Sequence, residues 1–271
     1  MEFTKAHGTG NDFVVVEDLA GRYQLTPELV RAVCDRHFGI GADGLIRIAP
    51  GTDAPFFMDY RNADGSLAEM CGNGVRVVGK YLGDRGHVGS AFDLETRAGV
   101  KHLELHADDS GCIDKVTVDM GAPDLGEERT LEVDGEPVTA TCLSMGNPHA
   151  VVFVEDVDKA PVTSLGPRLE THPVFLPAKT NVEFAQVVDR ATVRQRTWER
   201  GVGETLACGT GACAVAVAAQ VRGLAGHPVV IELRGGRLGL DWTPGGTVRM
   251  TGPAREVAHG TLTDDLLASA R

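Results

Sequence analysis

Cysteine thiols are the groups in this chain best suited to moving protons near neutral pH, and two of them share one setting. Cys71-Gly72-Asn73-Gly74 opens the apolar run 75–82, and Cys208-Gly209-Thr210-Gly211 opens the Ala- and Val-rich run 212–220. A cysteine at a helix start lies where backbone N–H groups and the helix dipole favour negative charge. The glycines behind it let a small anion come close to the backbone. Two such sites suggest a pair of thiols working on one substrate from opposite sides. Inverting a carbon stereocentre without a redox step needs that pair, one group deprotonated and the other protonated. Thiols suit it, because their ordinary pKa of ~8.5 needs only a modest shift to reach neutrality. The N–H groups of Gly72, Asn73, Gly209 and Thr210 are placed to stabilise the charge that develops on a carboxylate beside the reacting carbon.

Cysteine is also among the most buried residue types and often acts as a small hydrophobe. Cys34, Cys112, Cys142 and Cys213 lack the flanking glycines and read as packing residues. The absence of a secretory-type N-terminus and the irregular spacing of the six cysteines predict reduced thiols in a cytoplasmic protein. Without C-x-x-C pairs, no structural zinc site is expected. The net charge of −12 is spread along the chain, which argues against nucleic acid or an anionic membrane as partner.

The elements that must position the thiols are mostly short strands. The pattern predicts strands over 12–18, 45–49, 56–61, 91–96, 102–106, 115–120, 137–143, 149–154, 182–188, 192–198, 229–233 and 247–252. Helices are expected over 27–38, after each of the two cysteines, and from residue 264. The 34 glycines and 13 prolines fit a turn-rich architecture. A second marker repeats with the cysteines: Gly10-Asn11 opens the first half and Gly146-Asn147 the second. The asparagines are 136 residues apart and the cysteines 137, with Asn62 and Asn181 a less regular third pair. Matching offsets predict an internal duplication. The expected fold class is α+β: two pseudo-symmetric domains, each a strongly curved, mostly antiparallel sheet around a central helix, with the active site in the cleft between them. The first domain is expected over 1–120 and the second over 121–256, parting in the polar segment 121–129. Residues 257–271 are expected to return to the first.

At this point the motifs resemble a known family. His7-Gly8-Thr9-Gly10-Asn11-Asp12-Phe13, Met70-Cys71-Gly72-Asn73-Gly74, Gly146-Asn147-Pro148-His149, Thr180-Asn181-Val182-Glu183-Phe184 and Glu199-Arg200-Gly201-Val202-Gly203-Glu204-Thr205 stand in the order found in diaminopimelate epimerases. The resemblance implies a cofactor-independent isomerase that converts LL-2,6-diaminopimelate to the meso form, in lysine and peptidoglycan precursor biosynthesis. It also implies a homodimer, with no metal. It makes Cys71 and Cys208 the base and acid, supported by His149 and Glu199. Arg200 would grip the distal carboxylate. Asn11, Asn62, Asn147 and Asn181 would meet the ammonium–carboxylate groups, together with Gly72, Asn73, Glu199, Gly209 and Thr210. One position departs from the family: Gly44 stands where many members carry a glutamine that approaches substrate.

Three other readings compete with this one. A proline or hydroxyproline racemase would usually have His in place of Asn73 and would leave Arg200 and several amides unpartnered. A dithiol redox sensor would link Cys71 and Cys208. A pyridoxal-phosphate racemase would need a Schiff-base lysine, and none of the six lysines has a supporting context.

Overall fold

A computed structural model describes residues 1–269. The fold is α+β, and the chain divides into two compact units. One holds Met1–Val118 and the chain from Gly252 onward; the other is Asp119–Thr251.

In the first unit the order is β1 (Glu2–Gly8), β2 (Asn11–Glu17), α1 (Pro27–Cys34), β3 (Gly44–Pro50), β4 (Phe56–Asn62), α2 (Gly72–Asp84), β5 (Ala91–Thr96), β6 (Gly99–Ala107) and β7 (Ile113–Asp119). Thr9 and Gly10, both at positive φ, close the β1–β2 hairpin as a two-residue turn between Gly8 and Asn11. Next, β2 runs parallel to β3, β3 antiparallel to β4, β4 parallel to β5, and β5–β6–β7 antiparallel. Helix α2 is buried from Gly72 through Leu82 against these strands.

The second unit contains β8 (Asp124–Val133), β9 (Glu136–Ser144), β10 (Pro148–Phe153), α3 (Val162–Glu170), β11 (Asn181–Asp189), β12 (Thr192–Glu199), β13 (Gly203–Thr205), α4 (Gly209–Val221), β14 (Val229–Leu233) and β15 (Gly236–Asp241). From β16 (Arg249–Pro253) the chain passes back to the first unit as β17 (Arg255–Thr261) and α5 (Asp264–Ser269). The pairing sequence of the first unit recurs: β9–β10 antiparallel, β10–β11 parallel, β11–β12 antiparallel, β12–β14 parallel, β14–β15–β16 antiparallel. Helix α4 is apolar on every side and, Thr210 apart, buried from Gly209 to Ala219, as befits a helix enclosed by strands.

Several elements differ from expectation. α1 stops at Cys34, short of residue 38, because the Asp35 carboxylate accepts the N–H groups of His37 (2.7 Å) and Phe38 (2.8 Å) and replaces the next helical turn. The segment 121–129, read as a boundary, is largely β8. Its polar sequence suits a strand with an exposed face, on which only Leu131 and Val133 are buried. The return to the first unit comes before residue 257, since Arg255 and Glu256 already pair with His7 and Ala6 of β1. Residues 270 and 271 of the expected returning segment lie outside the described residues. α3 forms where the sequence pattern gives no helix, because Gly166 and Pro167 lie inside it. Gly166 is needed there, as a Cβ would sit 2.6 Å from Trp198 Cγ. Of the four cysteines read as packing, Cys34 and Cys213 are buried and Cys142 half-buried. Cys112 is exposed, because it ends a tight turn in which its N–H meets the Asp108 carboxylate at 3.2 Å.

Candidate active site

In the first unit, Cys71 is the extended N-cap of α2 and half-buried. Its Sγ donates to Asn11 Oδ1 at 3.4 Å, and the same oxygen accepts from Asn73 Nδ2 at 3.2 Å. Asn11 in turn donates to Asp43 at 2.7 Å. Asp43 and Asp12 share the Arg36 guanidinium, and Lys5 also pairs with Asp12, whose carboxyl is held far below the usual range against the opposing effect of burial. Beneath the first turn of α2 lies Arg76, wholly buried. It donates to Asn73 Oδ1 (2.8 Å), Thr9 Oγ1 (3.2 Å), Gly72 O (3.3 Å) and Pro253 O (3.4 Å). Gly8 is required for this approach, since a Cβ there would meet Asn73 O at 2.9 Å. Asn62 ends β4, and its amide donates to Ser66 Oγ at 3.0 Å within the following turn.

In the second unit, Cys208 is likewise the extended N-cap of α4, and its sulfur accepts Gly211 N–H at 3.4 Å, a side-chain cap bond that Cys71 does not make. A chain of contacts runs from it: Thr210 Oγ1 at 3.5 Å, Asn147 Nδ2 to Thr210 at 3.3 Å, and Asn147 Oδ1 to His149 Nε2 at 3.0 Å. It ends at Glu183 Oε1, 2.8 Å from His149 Nδ1. The side chains of His149 and Glu183 are completely buried. Glu199 stands at the end of β12, where Thr205 Oγ1 donates to it at 2.5 Å. Burial raises the Glu199 carboxyl, and its bonds to Thr205 and the Cys208 thiol pull the other way. Burial also pushes the Cys208 thiol well above its ordinary value. The Glu199 and Glu183 carboxylates add to this, outweighing Thr210 and the Gly211 N–H. A thiol and a carboxyl group, both biased toward protonation and in contact, form an acid–base couple able to hold a proton ready for delivery.

Asn181 is used locally: its amide donates to Pro148 O (3.2 Å) and accepts Arg200 N–H (2.9 Å). The Arg200 guanidinium donates to Ala178 O (2.7 Å), and the residue is exposed. Glu170 ties together the segment leading into β11 and the turn after β12, accepting from Lys179 Nζ (3.1 Å), Trp198 Nε1 (2.8 Å) and Gly201 N (3.1 Å).

Strand register gives the two halves a residue-by-residue correspondence and changes one pairing made from sequence. Phe13 faces Gly44 across β2–β3 as His149 faces Asn181 across β10–β11. Gly44 faces Asn62 across β3–β4, and Val182 faces Trp198 across β11–β12, which sets Asn181 against Glu199. The counterpart of Asn181 is therefore Gly44, and that of Asn62 is Glu199. Helix glycines carry the match further: a Cβ on Gly74 would meet Ile46 Cδ1 at 3.0 Å, and one on Gly211 would meet Glu183 Oε1 at 2.6 Å. Gly44 itself has no room for a side chain, since a Cβ would lie 2.5 Å from both Arg61 O and Tyr60 Cε2.

Sequence reasoning missed Glu183, Arg76 and Glu170. The first two carried a signal: a glutamate at an inward position of an apolar strand, and an arginine within an apolar helical run. Glu170 carried none, because two of its three partners, Trp198 and Gly201, lie 28 and 31 residues away.

The fold is one shared by racemases and PhzF-type proteins. A probable proline racemase from Agrobacterium radiobacter superposes with a TM-score of 0.73 at 19% identity, covering 97% of this chain and 93% of that one. A PhzF-family phenazine biosynthesis protein from Bacillus anthracis superposes at 0.75 with 16% identity, covering 97% and 99%. The sequence then narrows the class. Residues 3–126 and 141–257 match the diaminopimelate epimerase family model, and the diaminopimelate epimerase of Leptospira biflexa is 46% identical over 97% of this chain and 99% of its own length. The chain belongs to the diaminopimelate epimerase family and is an isomerase of the epimerase type.

Proposed function

We propose that this chain interconverts LL- and meso-2,6-diaminopimelate by a two-base mechanism in which Cys71 and Cys208 exchange roles with reaction direction. In either direction the thiolate of one cysteine takes the α-proton, and the thiol of the other delivers one to the opposite face. The α-proton is far less acidic than a thiol, so the negative charge arising on the substrate carboxylate must be met by donors. The backbone N–H groups of Gly72, Asn73, Gly209 and Thr210 supply them at the two helix starts. Glu199 holds the proton of Cys208 in place, and His149 with Asn147 and Thr210 gives the sulfur hydrogen-bond partners in either charge state. At Cys71 the Asn11 amide oxygen accepts the thiol proton, and Asn73 Nδ2 donates to that same oxygen and holds it in place. Asn62, Asn181 and Arg200 are assigned to substrate, with Asn181 acting by fixing the Arg200 backbone and Arg200 by turning its guanidinium to the distal carboxylate.

The observation that carries this reading is the repeated Cys-Gly-x-Gly helix start, each thiol bound to an asparagine- or threonine-based network on an otherwise equivalent strand frame. The pathway role follows as lysine and peptidoglycan precursor synthesis, and the working form is taken to be a cytoplasmic homodimer. No described helix is long and apolar enough to cross a membrane. The test is incubation with LL-diaminopimelate in D₂O. Meso product carrying solvent deuterium, lost in Cys71→Ala and in Cys208→Ala, is expected. Absence of α-deuterium with folded, reduced protein sinks the reading. Light scattering tests the dimer, and a monomeric mass at micromolar protein would refute it.

A further inference from the structure

Each of the two helix-capping thiols is delivered by a short segment that leaves a strand pair just before the helix starts. In the first unit Leu67 bridges Arg61 of β4, and Cys71 follows four residues later. In the second, Glu204 of β13 faces Trp198 of β12, and Cys208 again follows four residues later. An arginine reaches each segment from the same place in the repeat. Arg97 lies in the two-residue turn between Thr96 of β5 and Gly99 of β6, and Arg234 in the turn between Leu233 of β14 and Gly236 of β15. They stand 137 residues apart, as the cysteines do. Strand register makes the same match: Phe56 faces Leu94 across β4–β5 as Val193 faces Ile231 across β12–β14, three residues before each arginine.

The Arg97 guanidinium spans the gap between β4 and the lead-in segment. Its Nη1 donates to Tyr60 O at 2.9 Å and to Ala68 O at 3.1 Å, and its Nη2 pairs with the almost wholly buried Asp59 carboxylate. One planar cation thus holds the strand on one side and the residue three before Cys71 on the other. Arg234 uses a different acceptor. Its Nη1 donates to Glu204 Oε1 at 3.1 Å, and Arg196 of β12 binds the same carboxylate through Nε (2.8 Å) and Nη2 (3.1 Å). Beside it, Gly235 N–H donates at 2.9 Å to Leu206 O, two residues before Cys208. Asp59 and Arg196 hold equivalent strand positions yet carry opposite charges. The tie from turn to lead-in segment therefore persists in both units although its partners have changed.

We propose that Arg97 and Arg234 are positioning residues, each clasping the segment that sets the cysteine of its own unit. This rests on the reading of the two thiols as a working pair. The two clasps differ in strength. Arg97 is bonded to an enclosed carboxylate and two carbonyls, whereas Arg234 is half-exposed and the Gly235 backbone bond remains without it.

The test is alkylation of the full chain with iodoacetamide at one mildly alkaline pH, read by mass spectrometry with fragment ions that separate Cys208 from Cys213. Arg97→Met should speed alkylation of Cys71 about tenfold and leave Cys208 within about twofold of the wild type. Arg234→Met should speed Cys208 alone, by about threefold. With LL-diaminopimelate, Arg97→Met should lower kcat about tenfold and keep KM within about twofold, because a displaced base slows the step after substrate is bound. A variant weakened throughout would open both thiols together. Parallel acceleration of both cysteines in either variant therefore refutes the role, as does an unchanged rate at the variant's own cysteine. Faster alkylation of Cys71 with unaltered kcat also overturns it, since the clasp would then shield the thiol without positioning it. If Arg97→Met does not fold, Arg97→Gln replaces it under the same criteria. Absence of deuterium exchange in the wild type, with each variant acting on its own cysteine, would strike the epimerase reading alone.

Discussion

Replacing Gly211 by alanine should be far more damaging than the same change at Gly74, although the two occupy equivalent places in α4 and α2. At 211 the new Cβ falls 2.6 Å from Glu183 Oε1 and 3.2 Å from Gln195 Nε2. That first distance is about 1 Å short of ordinary contact. The carboxylate cannot swing aside freely, because Oε1 is bonded to His149 at 2.8 Å and both side chains are fully enclosed. Either the core is overpacked, at about 1–3 kcal/mol, or the charged hydrogen bond breaks, at about 1.5–3 kcal/mol. Better helix propensity returns at most about 1 kcal/mol. The net loss for Gly211→Ala is therefore about 1–2 kcal/mol. At 74 the nearest atoms are Ile46 Cδ1 at 3.0 Å and Met58 Cε at 3.5 Å, the ends of apolar side chains that can rotate. Overpacking there is offset by propensity, leaving a change of about 0–1 kcal/mol. Urea unfolding of both variants beside the wild type measures the difference, and His149 imidazole NMR resonances report the carboxylate's displacement. If the two variants lose stability equally, to within about 0.5 kcal/mol, the enclosed Glu183–His149 bond does not constrain α4 as argued.

Stability should also decline on the alkaline side. Burial raises the Cys34 thiol from 9.0 to about 12, and Cys142 and Cys208 are raised too. Above pH 9 the unfolded chain releases these protons while the folded chain keeps them. The contribution is thus complete below pH 9 and lost as pH rises toward the folded values, by about 1.4 kcal/mol per pH unit for each such thiol. Urea midpoints between pH 8 and 10.5 should fall, and Cys34→Val should flatten the slope by one thiol's share; an unchanged slope would count against the assignment. Glu170→Ala removes the acceptor of Trp198 Nε1, Lys179 and Gly201 N–H. It should cost about 3 kcal/mol and loosen the segment carrying Arg200, seen as a red shift of Trp198 emission and a rise in KM larger than the fall in kcat. Unaltered emission and KM would remove Glu170 from the positioning of that loop.

The duplication and its thiols could be read from the chain because their signals are local. A cysteine followed by glycines and an apolar run specifies a helix start with a thiol at its cap, whatever surrounds it. The alternation of short apolar runs with turns likewise specified a strand-rich α+β chain. Boundaries were less legible. The Asp35 side chain competes with the backbone for hydrogen bonds and ends α1 early, and β8 satisfies its backbone with β9 despite a polar sequence. Asn62 and Asn181 looked like partners because both are asparagines near strand ends. Only the register, which fixes which residues face one another across strands, sets Asn62 against Glu199 in the repeat.

What sequence alone determined is the chemistry at hand: two helix-capping thiols, their glycines and the marker asparagines, since short-range backbone geometry depends on neighbours in the chain. Tertiary structure decided what each thiol experiences. Glu183, 25 residues before Cys208 in the chain, lies under one helix start, while Ile46 holds the matching place under the other. Electrostatic influence depends on distance and burial in space, which no spacing in a single chain specifies.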